Sequence, residues 1–245
     1  MGVMMSNKLR ALLKISGETL SGCGEFGITR PPLEFMTNEI LDACNTFNLA
    51  LAIVIGGGNI IRGADLKKNV FEEDTIIADH MGMLATLINC IGFKKFLKQR
   101  GIESRVMSAL HCNSVCEPYY IEVALSHLEK GKIVILAGGM GIPNLSTDMT
   151  MVMRAKELEM ASVLKGTKVD GIFEEDPKRN PDAKFIPKIS YEDYLRRDLK
   201  VINFNAVGEA RQHGMRIKVF NFFKEGNLRR VLADGDDIGS VIEAA

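Results

Sequence analysis

Short apolar runs alternate along this chain with longer segments of helical period, and this alternation limits the fold more than any other feature. The pattern is typical of a parallel sheet with helices packed on both faces. Most of the runs are almost continuously apolar, as expected for strands buried on both sides. The sequence therefore predicts an α/β fold, a three-layer α/β/α sandwich with a mainly parallel central sheet, built as one domain over residues 1–245.

The individual strands and helices can be assigned from the length of each run and the residues that flank it. Strands are predicted at residues 9–15, 49–55, 103–107, 132–137, 161–165, 216–220 and 240–242. Helices are predicted at residues 31–47, 75–99, 117–130 and 147–160, the second of them with one apolar face made by Met81, Leu84, Ala85 and Ile88. The polar stretch 174–188 contains three prolines and predicts a surface loop.

Charge and cysteine content exclude several classes of protein. Lys plus Arg and Asp plus Glu both total 31, so no long-range field favours nucleic acid or an anionic membrane. The most apolar stretch, residues 81–93, is interrupted by Thr86 and Asn89, so we expect neither a membrane span nor secretion. Five scattered cysteines fit reduced thiols in the cytoplasm, and the spacing of His111, Cys112 and Cys116 does not match a zinc site.

A lysine lies inside the first predicted strand, which leads directly into Ser16 and Gly17. Strand alternation puts Leu12, Lys14 and Ser16 on the same side. Ligands of open α/β sheets bind at the carboxyl ends of strands, where Lys14 and the backbone amides near Gly17 could hold phosphates. The alternative is a lysine on an exposed edge strand.

Three consecutive glycines, residues 56–58, follow the second predicted strand, with Arg62 and Gly63 just beyond. Without side chains, backbone N–H groups can approach an anion closely, and Arg62 would add a charged fork for phosphate oxygens. The alternative is a tight strand-to-helix turn. The sequence lacks both a P-loop and the dinucleotide fingerprint here, which argues against a nicotinamide-dependent oxidoreductase.

A second glycine-rich segment, with Gly138, Gly139 and Gly141, follows the strand predicted at 132–137. Ser146 or Thr147 could cap the next helix, whose N-terminus would present N–H groups to a second anion. A capped helix after a flexible loop is the alternative reading. Two anion sites at neighbouring strand ends suit a donor and an acceptor phosphate.

Two further patterns are ambiguous on the residues alone. Asp79 lies near the start of a predicted helix, where an acidic residue is usually a cap, although its carboxylate could accept from ribose hydroxyls. Asp170-Gly171 is a turn signal, but it also lies between Lys165, which could approach a phosphate, and Phe173, which could contact a nucleotide base.

Taken in order, these segments closely resemble the bacterial UMP kinases of the amino acid kinase superfamily over nearly the whole chain. The resemblance is carried by residues 14–17, 53–59, 62–63, 79–86 and 168–171. The first glycine loop and residues 168–171 are shared across the amino acid kinase fold. The block 79–86, Asp-His-Met-Gly-Met-Leu-Ala-Thr, is far more specific to the UMP branch.

The resemblance implies two groups of binding residues. The ATP side comprises Lys14, Ile15, Ser16, Gly17, Gly58, Arg62, Thr167, Phe173 and Asp176. The UMP side comprises Gly57, Asp79, Met140, Gly141, Ile142, Pro143, Asn144, Leu145, Ser146 and Thr147. The N-terminal part of the domain would then hold the acceptor and the C-terminal part ATP with Mg²⁺. The resemblance also implies a homohexamer.

The acceptor loop departs from the family pattern. Where the family usually reads Thr-Gly-Asn-Pro-Phe-Phe-Thr-Thr-Asp, this chain has the different residues Met140, Ile142, Asn144, Leu145 and Ser146. The loop therefore offers fewer polar side chains for UMP or for coupling between subunits. The resemblance therefore implies UMP as the substrate, but not activation by GTP or inhibition by UTP.

The implied reaction is in-line attack of a UMP phosphate oxygen on the γ-phosphorus of ATP. The acceptor phosphate is already largely dianionic at neutral pH, since its second pKa is about 6, and it needs no general base. Lys14, Arg62 and Lys165 would neutralise charge, and Asp148 would orient lysines or magnesium. The alternatives are a kinase of the same fold acting on a carboxylate or carbamate, and a nucleotide-binding regulator without turnover.

Overall fold

One large sheet runs through the centre of the molecule. The computed structural model describes residues 8–22, 26–71, 75–177, 179–233 and 237–245. In that part of the chain the strands are β1 (Leu9–Ile15), β2 (Leu49–Ile55), β3 (Ser104–Ser108), β4 (Glu117–Pro118), β5 (Ile133–Ala137), β6 (Ser162–Thr167), β7 (Ile172–Phe173), β8 (Phe185–Ile186), β9 (Lys188–Ser190), β10 (Ile217–Asn221) and β11 (Ser240–Glu243).

Nine of these strands form the central sheet in the order β4-β3-β5-β2-β1-β6-β10-β11-β9. Every neighbouring pair is parallel except β10 and β11. The remaining two, β7 and β8, form a separate antiparallel pair. The mainly parallel central sheet is therefore confirmed, with β1 in the middle and β2 and β6 on either side of it.

Helices cover both faces of the sheet. They are α1 (Arg30–Thr46), α2 (Gly63–Asn69), α3 (Thr75–Gln99), α4 (Ile121–Glu129), α5 (Thr147–Glu157), α6 (Tyr191–Arg196), α7 (Phe204–Gln212) and α8 (Asn227–Leu232). Buried residues of α4, α5, α6 and α7 form one core cluster, which includes Leu12 of β1. Buried residues of α1, α3 and α8 form the other, which includes Leu13 and Ile15. Alternate side chains of β1 therefore point into two different cores, one on each face of the sheet, and the three-layer sandwich is confirmed.

The predicted bounds of β1, β2 and α3 agree with the structure, whereas two other assignments are wrong. Residues 117–130 do not form one helix, because Glu117 and Pro118 pair with β3 and α4 begins only at Ile121. The stretch 174–188 is not loop throughout, because Phe185 and Ile186 pair with β7 and β9 begins at Lys188. Both errors concern very short strands, which carry little periodic signal.

The predicted apolar face of α3 is also wrong. Ala85 is buried, but Leu84 and Ile88 are 46% and 50% exposed. The buried face is instead made by Leu87, Cys90, Phe93 and Leu97, which belong to the core cluster shared with α1. Because α3 is apolar almost all round, periodicity could not tell the inner face from the outer one.

The same helix is long and apolar enough to cross a membrane by length and composition alone, over residues Ile76–Gln99 with a mean hydropathy of 1.5. The polar interruptions at Thr86 and Asn89 do not remove that property. However, α3 packs along β3 and β5 of the central sheet. Core helices of soluble proteins pass the same test, so this helix is weak evidence for a membrane span.

Candidate active site

Two lysines on adjacent strands lie in register at the centre of the sheet. Lys14 of β1 and Lys165 of β6 are paired across the parallel ladder, and the side chains of both are largely buried. Both contact Asp148 in the first turn of α5. Lys14 Nζ lies 3.0 Å from Asp148 Oδ1, and Lys165 Nζ lies 2.7 Å from each carboxylate oxygen. The edge-strand alternative for Lys14 is therefore wrong, because β1 is a central strand.

The charges of this triad are strongly coupled. Burial disfavours the Asp148 carboxylate, but the ammonium groups of Lys14 and Lys165 hold the pKa of Asp148 well below its ordinary value. Burial, assisted by the neighbouring Lys14 ammonium, lowers the pKa of Lys165 to about 8. The triad thus brings two ammonium groups to one carboxylate. The net positive charge suits a phosphate group.

The position of Asp148 follows from how α5 begins. Ser146 is the N-cap of this helix, and its side-chain oxygen accepts from the backbone N–H of Met149 at 3.2 Å. The cap predicted at Ser146 or Thr147 is thus confirmed at Ser146. Asp148 then falls in the first turn, where the helix dipole favours a carboxylate. The backbone N–H of Asn203 also donates to Asp148 Oδ2 at 3.0 Å.

The turn after β1, at Ser16 and Gly17, contacts the glycine segment 56–58 directly. The backbone N–H of Gly56 donates to the carbonyl of Ile15 at 3.0 Å. A Cβ atom added to Gly17 would lie 2.3 Å from the carbonyl oxygen of Gly56 and 2.6 Å from Asn59 Oδ1. Close packing of two loops therefore requires glycine at position 17, whatever its role toward an anion.

Helix α3 holds both glycine-rich strand exits in place. Asn89, fully buried in α3, donates to the carbonyl of Gly56 at 2.7 Å and exchanges hydrogen bonds with Asn59 at 2.7 and 3.0 Å. One helical turn earlier, the Thr86 hydroxyl accepts from the backbone N–H of Gly138 at 2.9 Å. The two polar residues that interrupt the apolar run thus satisfy the backbone of the two loops.

A cavity of about 220 Å³ lies between these two exits. Its lining includes five of the residues predicted for the UMP side, namely Gly57, Asp79, Ile142, Leu145 and Thr147. The cavity is also lined by Gly139, which has a left-handed backbone with φ of 57°. Gly138, Gly141 and Asn144 also have left-handed backbone conformations, so the loop turns tightly beside the cavity. Residues of both glycine-rich segments, Gly57 and Gly139, thus line one cavity.

Asp79 is not a helix cap, because α3 begins at Thr75 and Asp79 lies inside it. Its Oδ2 atom instead accepts from the backbone N–H of Asn144 at 2.7 Å and from Lys67 Nζ at 2.8 Å. Lys67 belongs to α2. The Asp79 carboxylate therefore joins α2, α3 and the loop after β5 at the wall of the cavity.

Four of the residues predicted for the ATP side line two other cavities. Phe173 and Asp176 line one of about 350 Å³, together with Val201. The carbonyl of Val201 accepts from Lys165 Nζ, so this cavity adjoins the lysine pair. Gly58 and Arg62 line one of about 630 Å³.

Some residues predicted for the ATP side make contacts within the protein or lie in the core. Arg62 is more than half exposed and pairs with Glu18 at 3.0 Å. The Thr167 hydroxyl donates within its own turn, to the carbonyl of Val169 at 2.6 Å. Ile15 is fully buried in the core, so its side chain does not reach any of the cavities described here.

Sequence reasoning missed four residues that shape the site, namely Glu18, Lys67, Asn89 and Asn203. Of these four, only Asn89 could have been found from the sequence, because a buried polar residue inside an apolar helix needs a hydrogen-bond partner. The other three make contacts between segments far apart in the chain, and no local pattern marks them.

Several known proteins are similar to this chain along nearly its whole length. The sequence profile of the Amino acid kinase family matches residues 10–224. A uridylate kinase of Campylobacter jejuni is 39% identical over 239 residues, which cover 98% of this chain and 99% of the relative. A uridylate kinase of Campylobacter curvus is 41% identical over 230 residues, which cover 94% and 96%.

Solved structures with the same fold are also similar in sequence. The crystal structure of UMP kinase from Bacillus anthracis matches with a TM-score of 0.90 and 36% identity over 96% of both chains. That of UMP kinase from Ureaplasma parvum matches with a TM-score of 0.86 and 29% identity, over 96% of this chain and 99% of the other. The chain belongs to the amino acid kinase family, in its uridylate kinase branch.

Proposed function

We propose that this protein transfers the γ-phosphoryl group of ATP to UMP, giving UDP for pyrimidine nucleotide synthesis. The observation that carries the proposal is the buried Lys14–Asp148–Lys165 triad. In the chain, Asp148 comes immediately after the loop that lines the cavity of about 220 Å³. Lys165 adjoins the cavity lined by Phe173 and Asp176. The similarity to uridylate kinases across nearly the whole chain supports UMP as the acceptor.

In this proposal catalysis consists of positioning and charge neutralisation. The transferring phosphoryl group spreads negative charge over its oxygens, and preorganised cations stabilise that charge. Lys14 and Lys165 supply two of these cations. Asp148 holds Lys14 by an ion pair of 3.0 Å and Lys165 by two hydrogen bonds of 2.7 Å. Arg62 is assigned to the ATP phosphates and would exchange its partner Glu18 for them.

Magnesium enters the proposal as part of MgATP. The part of the chain that the structure describes contains no group of three or more His, Cys, Asp or Glu side chains able to hold a metal ion. The Asp148 carboxylate already forms ion pairs with two ammonium groups and accepts from the N–H of Asn203. Mg²⁺ would therefore be held by nucleotide phosphates and water, as is common for this ion, and would neutralise phosphate charge there.

UMP is assigned to the cavity of about 220 Å³, which residues of the loop 140–147 line. The Asp79 carboxylate would accept hydrogen bonds from the ribose hydroxyls of UMP. The apolar side chains of Ile142 and Leu145 would pack on the nucleoside. ATP is assigned to the side of Phe173 and Asp176, with the backbone of residues 15–17 and Gly58 near its phosphates. Acceptor and donor would thus occupy the N-terminal and C-terminal parts of one domain.

The acceptor specificity can be tested directly by measuring ADP release from ATP. We expect rapid release with UMP, slow release with CMP, and only background with acetylglutamate or without acceptor. Turnover with acetylglutamate in place of UMP would favour the carboxylate-kinase alternative. Binding of ATP and UMP without any ADP release would favour the regulator without turnover.

We also propose a homohexamer in the cytoplasm. The outer face of α3 carries Leu84, Ile88 and Ile91, which are 37% to 50% exposed, and an apolar stripe of this kind marks an association surface. Light scattering after size exclusion is expected to give six times the chain mass of 27.0 kDa. A monomeric mass would contradict the oligomer without affecting the proposed reaction. The cysteines Cys44, Cys90, Cys112 and Cys116 are free thiols, which suits a reducing compartment.

A further inference from the structure

The Asp79 carboxylate is held by a lysine that the proposed reaction does not use. Lys67 lies in α2 and places Nζ 2.8 Å from Asp79 Oδ2. The same ammonium group lies 3.4 Å from the side-chain oxygen of Asn144, whose backbone N–H donates to Asp79 Oδ2 at 2.7 Å. One carboxylate oxygen therefore receives donors from two different segments.

The burial of this junction makes it more than a surface ion pair. The Lys67 and Asp79 side chains are 27% and 21% exposed, and Asp79 lines the acceptor cavity. Within the described part of the chain, the contacts of the carboxylate use Oδ2 only. Oδ1 is then the oxygen through which Asp79 would accept a hydrogen bond from a bound ligand. Two donors on Oδ2 fix the rotation of the carboxylate and so the direction of Oδ1.

We propose that Lys67 is a positioning residue that sets the specificity of the acceptor site for ribonucleotides. This inference rests on the proposed function, because it assumes that Asp79 reads the ribose hydroxyls of UMP. Lys67 acts through Asp79 and contacts no substrate itself. Its charge also offsets the repulsion between the Asp79 carboxylate and an anionic nucleotide.

The chemistry of the site explains why loss of Lys67 would affect the preference for UMP over 2′-deoxy-UMP more than the overall rate. A hydroxyl that donates to a well-oriented carboxylate is distinguished from a missing hydroxyl, whereas a misoriented carboxylate loses that distinction. Acceptors that differ only at the 2′ position, UMP and 2′-deoxy-UMP, therefore report directly on Asp79. The ratio of their kcat/KM values is unaffected by any general loss of active protein.

The test measures this ratio in Lys67→Met and in wild type. We expect the preference for UMP over 2′-deoxy-UMP to fall about tenfold, the size expected when a charged acceptor loses its alignment, with the KM for ATP unchanged. Lys67→Arg keeps the charge and the reach and is expected to keep most of the preference. Lys68→Met is the matched control, because Lys68 is the exposed neighbour in the same helix.

A double-mutant cycle separates positioning from a general structural role. If Lys67 acts through Asp79, Lys67→Met has no further effect on the ratio in an Asp79→Ala background. An unchanged ratio in Lys67→Met, with wild type active on UMP, would overturn the inference and leave the proposed function standing. A wild-type protein without activity on UMP would overturn both. Should Lys67→Met fold poorly in thermal melts, Lys67→Gln repeats the measurement, and an unchanged ratio there is equally decisive.

Discussion

Lys14→Ala is expected to lower kcat by about a hundredfold or more, because removing one preorganised charge contact from a transition state has an effect of this size. Lys14 is buried at the carboxyl end of the central strand β1, and its ammonium group lies 3.0 Å from Asp148. The fold should survive the change, since Lys165 still neutralises Asp148 through two hydrogen bonds of 2.7 Å. Steady-state ADP release with UMP gives kcat, and a thermal melt checks folding.

Arg10→Ala is the matched control for this experiment. Arg10 lies in the same strand, toward its amino end, and pairs with Glu129 and Glu159 near the surface. Its loss should leave kcat close to that of wild type. Turnover of Lys14→Ala within a few-fold of wild type would contradict the assigned role of Lys14. So would an equal loss of kcat in Arg10→Ala, because the effect would then be one of strand stability.

Asp148→Leu is expected to lower the free energy of unfolding by about 3–5 kcal/mol, the usual cost of removing one partner from a buried charge pair. The substitution leaves the ammonium groups of Lys14 and Lys165 facing each other, both side chains less than 10% exposed. It also removes the acceptor for the N–H of Asn203. Urea unfolding followed by circular dichroism measures the change, with the slope of the transition as a check on two-state behaviour.

A triple variant distinguishes charge imbalance from loss of packing. Lys14→Met, Asp148→Leu and Lys165→Met together remove all three charges, and replacing a buried ionic group by apolar residues is often neutral or stabilising. We therefore expect the triple variant to recover most of the stability lost in Asp148→Leu while phosphoryl transfer is abolished. A triple variant as unstable as Asp148→Leu would mean that shape, and not charge, determines the stability of this part of the core.

The central part of the fold could be predicted because the local signals there agree. Continuous apolar runs bounded by glycine gave the limits of β1 and β2, and the length of the apolar helix gave those of α3. The rule that ligands bind at the carboxyl ends of parallel strands offered the site of Lys14 as one of two alternatives, and in the structure Lys14 lies there, 3.0 Å from Asp148. Residues that lie next to strand ends are therefore the ones that sequence patterns identify well.

Features that depend on long-range contacts could not be predicted in the same way. The inner face of α3 is chosen by its packing on the sheet, because both faces are apolar. Lys67 reaches Asp79 from a short helix of seven residues, and neither residue carries a local signal for the other. The strands β4 and β8 contain two residues each, and only a partner strand makes them recognisable.

The place of β1 at the centre of the sheet has a consequence for how the protein is made. Its two neighbours are β2, which follows closely, and β6, which begins only at Ser162. As the ribosome synthesises the chain from its N-terminus, one edge of this buried apolar strand has no partner until about two thirds of the polypeptide has emerged. The pairing that finally protects that edge also brings Lys165 opposite Lys14. Closure of the sheet and assembly of the Lys14–Lys165 pair are therefore the same event in biosynthesis, and a nascent chain that stops before β6 has neither.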